Sequence, residues 1–243
     1  MNKSARILLL STSTVFGSGY LEYAEAEVRD FLGKIKRVLF VPFALHDQTA
    51  YAARVRAHFV TMGYELDSVH ASRDMKESVE RAEAVFIGGG NTFRLLKSLY
   101  DFDLVDAIRR RVEDGMPYMG ASAGSNVASP TIRTTNDMPI VGPPSFEALG
   151  LVPFQINPHY RDPIPGSTHM GETREERIIQ FLEENETPVI GLREGALIRV
   201  ENGSCELRGI SGARLFRKGI DPMELPIGSS LHELMTEPQA PAA

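Results

Sequence analysis

Pro117-Tyr118-Met119-Gly120-Ala121-Ser122-Ala123-Gly124 decides the fold class. A short apolar run ends in a glycine-flanked serine and passes into a new segment, the form strand, G-x-S-x-G, helix. The same rhythm extends on the N-terminal side. Arg6–Ser11, Arg37–Pro42 and Ala84–Ile87 read as buried strands, and Leu21–Leu32, Ala50–Met62, Met75–Ala82 and Leu104–Glu113 carry helical patterns between them or after them. Continuous apolar runs of strand length, alternating with helices, predict a mainly parallel sheet covered on both faces, a three-layer α/β fold. Such sheets place their sites at the carboxyl ends of their strands, where every motif below falls.

Past residue 130 the rhythm breaks. Pro130, Pro139, Pro143, Pro144, Pro153, Pro158, Pro163 and Pro165 punctuate a long stretch without obvious elements, and such a stretch in a compact domain is more often functional than idle. Helix Thr173–Asn185 and strand Val189–Leu192 follow. Ala196–Val200, Cys205–Arg208 and Ala213–Arg217 read as antiparallel strands closing the fold, with Asn202-Gly203 as a hairpin turn. No repeat or linker divides the chain, so residues 1–237 are expected to form one domain, with 238–243 as a frayed tail.

The bulk numbers set bounds. The chain has 243 residues, 42% of them hydrophobic and 24% charged, enough to bury a core without staples. A formal net charge of −6 disfavours a nucleic-acid partner. The single Cys205 excludes an internal disulfide and a multi-cysteine metal site, and fits a reducing compartment. The N-terminal run Ile7-Leu8-Leu9-Leu10 is too short for a secretory signal, and no stretch is long enough for a membrane span. A cytoplasmic chain without a membrane partner is the expectation.

The G-x-S-x-G turn lifts the hydroxyl of Ser122 to the top of the sheet. The helix that follows points free N–H groups at the same spot, which makes Ala123 N–H a natural oxyanion donor. A second loop, Ile87-Gly88-Gly89-Gly90-Asn91-Thr92, lacks the Lys-Ser/Thr of a phosphate-binding loop and does not match G-x-G-x-x-G. Its glycines let backbone approach a reacting carbonyl, so Gly89 or Gly90 is the second donor candidate.

A serine nucleophile needs a base. Of the six histidines, His159 in Gln155-Ile156-Asn157-Pro158-His159-Tyr160 is preferred over His46, His58, His70, His169 and His232, because it lies in the irregular stretch behind a stiffening proline. A carboxylate should orient the imidazole. Glu194, at the carboxyl end of Val189–Leu192, is the first candidate, with Asp137 and Glu172 as rivals. Thr173-Arg174-Glu175-Glu176 forms a capping box that puts Arg174 in the first helical turn. A cation at that end of the dipole is unfavourable by roughly 0.3–1 kcal/mol, which suggests use as a fork for a substrate carboxylate. Arg133 is the other candidate.

Taken together, these segments resemble the peptidase E, or aspartyl dipeptidase, family. The resemblance is carried by Leu8-Leu9-Leu10-Ser11, Ile87-Gly88-Gly89-Gly90-Asn91-Thr92-Phe93, Ser122-Ala123-Gly124, Gln155-Ile156-Asn157-Pro158-His159, Gly171-Glu172-Thr173-Arg174-Glu175, Val189-Ile190-Gly191-Leu192 and Glu194-Gly195. The most specific block is Pro130-Thr131-Ile132-Arg133-Thr134-Thr135-Asn136-Asp137-Met138-Pro139-Ile140-Val141. The resemblance implies a doubly wound sheet like that of the class I glutamine amidotransferases, with a Ser122-His159-Glu194 triad. It also implies an oxyanion hole from Gly89 or Gly90 with Ala123, a grip on the aspartyl side chain by Arg174, and no metal or organic cofactor. Its substrates would be small dipeptides with N-terminal aspartate; whether the chain works as a monomer or homodimer the sequence leaves open. A cyanophycinase-like peptidase cutting β-aspartyl bonds, and a non-catalytic ligand-binding member of the superfamily, are the alternatives.

Overall fold

The computed structural model describes residues 5–166, 168 and 170–236. The elements in chain order are β1 (Ile7–Leu10), α1 (Glu25–Leu32), β2 (Arg37–Val41), α2 (Gln48–Thr61), β3 (Glu65–Ser68), α3 (Met75–Glu80), β4 (Val85–Ile87), α4 (Thr92–Asp101), α5 (Leu104–Glu113), β5 (Tyr118–Ala121) and α6 (Ala123–Asn126). After the irregular segment come β6 (Gln155–Tyr160), α7 (Arg174–Glu184), β7 (Val189–Arg193), β8 (Ala196–Glu201), β9 (Ser204–Gly209), β10 (Ala213–Arg217), β11 (Ile220–Leu225) and α8 (His232–Thr236).

A seven-stranded sheet runs in the order β3-β2-β4-β5-β1-β8-β9. Its first five strands are parallel, and β8 and β9 add antiparallel rungs. β1 lies inside it, between β5 and β8, and all four of its residues are fully buried, which is why it reads Ile-Leu-Leu-Leu without polar alternation. Leu8 and Leu10 face α1 and α2, whereas Ile7 and Leu9 face α3, α4 and α5, giving the expected three layers. Ile156, Ile190, Leu192 and Leu215 of a second, four-stranded sheet join the α3–α5 core, and α7 covers the far side of that sheet through Ile178 and Leu182.

The second sheet corrects the expected ending of the fold. Its order is β11-β10-β7-β6, so β7 and β10 leave the main sheet while β8 and β9 extend it. Gly195 (φ +85) reverses the chain between β7 and β8, and neighbouring strands therefore part into different sheets. Its φ is a conformation that L side chains rarely adopt, and an added Cβ would also lie 2.6 Å from Ile210 Cγ1. β6 is a second correction, because Gln155–Tyr160 was expected to be irregular. Pro158 hides the strand signal, yet β6 is an edge strand, where a missing N–H is tolerated. The same holds for β11 with Pro222. The Asn202-Gly203 hairpin forms as read, both residues at positive φ. Residues 127–154 carry no regular element beyond a Thr131–Glu147 bridge. The expected tail 238–243 lies outside the described residues, among which no helix is long and apolar enough to cross a membrane.

Candidate active site

Ser122 occupies the junction of β5 and α6 with φ +53 and ψ −110, outside the ordinary helical and extended regions. A non-glycine residue holds such a conformation only when its surroundings over-determine it. Here they do. A Cβ on Gly120 would lie 2.4 Å from Gly124 O, and one on Gly124 would lie 2.1 Å from Ile87 O. Bare backbone lets β5, α6 and β4 close on one another. The Ser122 amide donates to Leu10 O at 3.0 Å, which ties the turn to the end of β1. Gly89 lies directly over the serine, since its Cβ would be 3.0 Å from Ser122 Cβ and 3.6 Å from Oγ. Gly90 (φ +135) turns away against Ala44 O.

His159 stands on β6 with φ +54, at the point where pairing with β7 slips register between Pro158 and Tyr160. The peptide group before it is gripped at both ends. Asn136 Nδ2 donates to Pro158 O at 2.6 Å, and the His159 amide donates to Ser11 Oγ at 2.9 Å. Ser11 Oγ in turn donates to Leu192 O at 2.7 Å. Asn157 Nδ2 donates to Asn136 Oδ1 (2.7 Å) and to Thr134 O (2.9 Å), and Thr134 Oγ1 donates to Ile156 O (2.9 Å). The specific block around residues 130–141 thus serves as a side-chain scaffold for β6.

The imidazole that results spans the two sheets. His159 Nε2 is 3.0 Å from Ser122 Oγ, and Nδ1 is 2.8 Å from Glu194 Oε1. Glu194 follows the last residue of β7, and its side chain is 42% exposed against 37% for His159, so solvent screens this pair more than in a sealed triad. Beside it the Tyr23 hydroxyl donates to Thr12 O at 2.7 Å. Burial pushes that phenol well above its ordinary value, and the Glu194 charge adds to the rise.

The rivals have other employment. Asp137 Oδ2 accepts from Thr92 N–H (2.7 Å) and Oγ1 (2.6 Å) at the start of α4. Glu172 accepts from Gln180 Nε2 (3.1 Å) and faces Arg177. His70 bonds Ser68 and Thr49, His58 lies within α2, and His169 is outside the described residues. Arg174 opens α7 behind the Thr173–Glu176 capping box. Burial lowers its pKa, and Arg177 and Arg161 lower it further against the opposing pull of Asp137. No carboxylate pairs with it among the described residues. Arg133 is not brought to Arg174: its guanidinium meets Asn185 Oδ1 at 3.5 Å, at the C-terminal end of α7. Ser11, Asn136 and Asn157 are the polar residues that sequence reasoning left unassigned. Their signal was present: Ser11 closes an apolar strand, and the asparagines sit in two of the segments that carry the family resemblance.

Comparison with known proteins bears on what this geometry does. The model of peptidase family S51 matches residues 7–208. Peptidase E of Streptomyces coelicolor is 57% identical over 229 residues, 94% of each chain. The probable alpha-aspartyl dipeptidase of Drosophila melanogaster is 49% identical over 220 residues, 89% of this chain and 92% of its own. Among solved structures, a peptidase from an acI-B1 actinobacterium has the same fold, with a TM-score of 0.68 at 18% identity, covering 93% of this chain and 96% of that one.

Proposed function

The chain belongs to peptidase family S51, and from that premise we propose that it is a serine dipeptidase hydrolysing dipeptides with an N-terminal aspartate through Ser122, His159 and Glu194. The observation that carries the reading is one imidazole within hydrogen-bond reach of a strained serine on one side and a carboxylate on the other, at 3.0 Å and 2.8 Å.

Glu194 holds the Nδ1 proton and so presents a basic Nε2 to Ser122. As Oγ attacks the peptide carbonyl carbon, its proton passes to Nε2 and the carbonyl electrons move onto oxygen. The amide of Ala123, with that of Gly89 or Gly90, receives that oxyanion, each donor being worth about 2.7–4 kcal/mol in comparable sites. Collapse of the tetrahedral species expels the second residue as an amine, protonated by Nε2, and leaves an aspartyl ester on Ser122. Water then attacks the ester with His159 as base, and free aspartate departs. Arg174 supports the substrate class, because a half-buried guanidinium without a carboxylate partner among the described residues suits a substrate side-chain carboxylate. Cys205 is no rival nucleophile: it is buried on β9, and burial pushes its thiol up to about 12. An unpaired buried thiol also fits a cytoplasmic setting.

The test is turnover of Asp-X, Glu-X, Asn-X and β-Asp-X dipeptides. Asp-X alone is expected to be cleaved well, and Ser122→Ala to abolish turnover with the melting curve unchanged. Arg174→Met should lower kcat/KM for Asp-X about 10- to 150-fold, the value of a charged hydrogen bond of about 1.5–3 kcal/mol, and leave Asn-X untouched. Equal treatment of Asp-X and Asn-X by the parent enzyme would refute the carboxylate assignment.

A further inference from the structure

We propose that Ser11 is a positioning residue of this site, a single hydroxyl that sets both the base and its orienter against the nucleophile; the inference rests on the triad reading above. Ser11 follows the last residue of β1 and is completely buried. Its position at the end of the run Ile7-Leu8-Leu9-Leu10 would suit another aliphatic residue, and a buried polar group is kept there only where its bonds are made. Both are. Ser11 Oγ accepts from the His159 amide at 2.9 Å and donates to Leu192 O at 2.7 Å.

Those partners belong to the two strands that carry the imidazole and the carboxylate. The preceding residue, Leu10, accepts the Ser122 amide at 3.0 Å. The dipeptide Leu10-Ser11 at the end of β1 therefore touches the backbone of the nucleophile, the backbone of the base and the strand that leads to Glu194. The hydroxyl acts at the most sensitive point of that arrangement. His159 has φ +54, and rotation about its N–Cα bond is measured from the peptide plane that Ser11 and Asn136 clamp from opposite ends. Release of the N–H end lets His159 relax toward ordinary negative φ, which swings the ring away from Ser122 Oγ and Glu194 Oε1 together. Substrate contacts made by Arg174 on α7 are not involved, so the loss falls on the chemical step rather than on binding.

The test compares Ser11→Ala with Ser129→Ala. Ser129 is also fully buried, and its hydroxyl also accepts from a β6 amide, that of Ile156 at 3.1 Å, but it touches neither His159 nor β7. With an Asp-X dipeptide, at a temperature where both variants are folded, Ser11→Ala is expected to lower kcat about 10- to 100-fold with KM within about twofold, the cost of a misplaced catalytic group. Ser129→Ala should keep kcat within about threefold at a comparable loss of melting temperature. Ser11→Thr, which retains the hydroxyl, should recover most of the lost kcat. If Ser11→Ala does not fold, Ser11→Cys, close in shape but a weak acceptor for the His159 amide and a weak donor to Leu192 O, should show the same split between kcat and KM. Turnover surviving in Ser122→Ala would remove the triad itself. A dead Ser122→Ala beside a Ser11→Ala that matches Ser129→Ala, or that loses only KM, would leave the triad standing and overturn the role of Ser11.

Discussion

The two sheets that meet at the site hold its serine and its imidazole by opposite means. In the seven-stranded sheet, Ser122 is held by the absence of side chains, with Gly120 and Gly124 letting backbone approach backbone where a Cβ would fall 2.4 Å and 2.1 Å from a carbonyl oxygen. In the four-stranded sheet, His159 is held by the presence of side chains, with Asn136, Thr134 and Ser11 bonded to the backbone of β6 and the Asn157 side chain of β6 donating back to Thr134 O. Both residues have positive φ, +53 and +54, so each mechanism sustains a φ that L side chains rarely adopt. The first half of the site should therefore fail on added volume, and the second on lost hydrogen bonds.

Gly124→Ala attacks the first half and carries the largest expected effect. The obstacle is Ile87 O, part of the β4 backbone, which cannot move aside as a flexible side chain would. Turnover should vanish and stability should fall by at least the ~3 kcal/mol at the upper end of ordinary overpacking, read from a denaturant melt. A folded, active Gly124→Ala enzyme would break the contrast outright. Asn136→Ala attacks the second half. It removes the donor to Pro158 O and the acceptor for Asn157 Nδ2, leaving buried groups unmet at about 1–3 kcal/mol. Here kcat should fall about tenfold with a moderate drop in melting temperature, and Asn136→Asp, which keeps only the acceptor, should rescue neither.

The smallest effect sharpens the comparison at the rim of the second sheet. Arg193 of β7 grips Asp162 at 2.7 Å and 2.6 Å just past β6, and also reaches Glu224 of β11. The Arg193 guanidinium holds the Asp162 carboxyl below its ordinary value, with burial opposing. A carboxyl lowered in the folded state stabilises at pH above its unfolded value, near 4, and loses that contribution as pH falls through the folded one. The melting-temperature deficit of Arg193→Gln should thus be larger at pH 6 than at pH 3. Because the Asp162 side chain is 48% exposed, the difference should stay within about 1 kcal/mol. A deficit that grew on acidification would show that Asp162 is not what Arg193 holds.

Legibility followed the same divide. The elbow was readable because its requirement is local: Gly-x-Ser-x-Gly after an apolar run states the close approach in five consecutive residues. The start of α7 was readable for a similar reason, since Thr173 and Glu176 write its capping box. β6 was not, because Pro158 among the polar Gln155, Asn157 and His159 contradicts a strand unless the segment lies at an edge, and edges are a property of the assembled sheet. The parting of β7 from β8 was hidden for the same reason. Gly195 announces a turn, but not which sheet each side of it joins.

By itself, then, the sequence determined the parallel layered core, the serine turn, the glycine loop above it and the helix that offers Arg174, all through spacing within a few residues. Which carboxylate faces His159, which glycine lies over Ser122, and that Arg133 points elsewhere were decided only by the tertiary structure. Those choices depend on residues tens of positions apart in the chain, 35 for His159 and Glu194 and 52 for Arg133 and Asn185, and contacts at that range are set by packing rather than by local pattern.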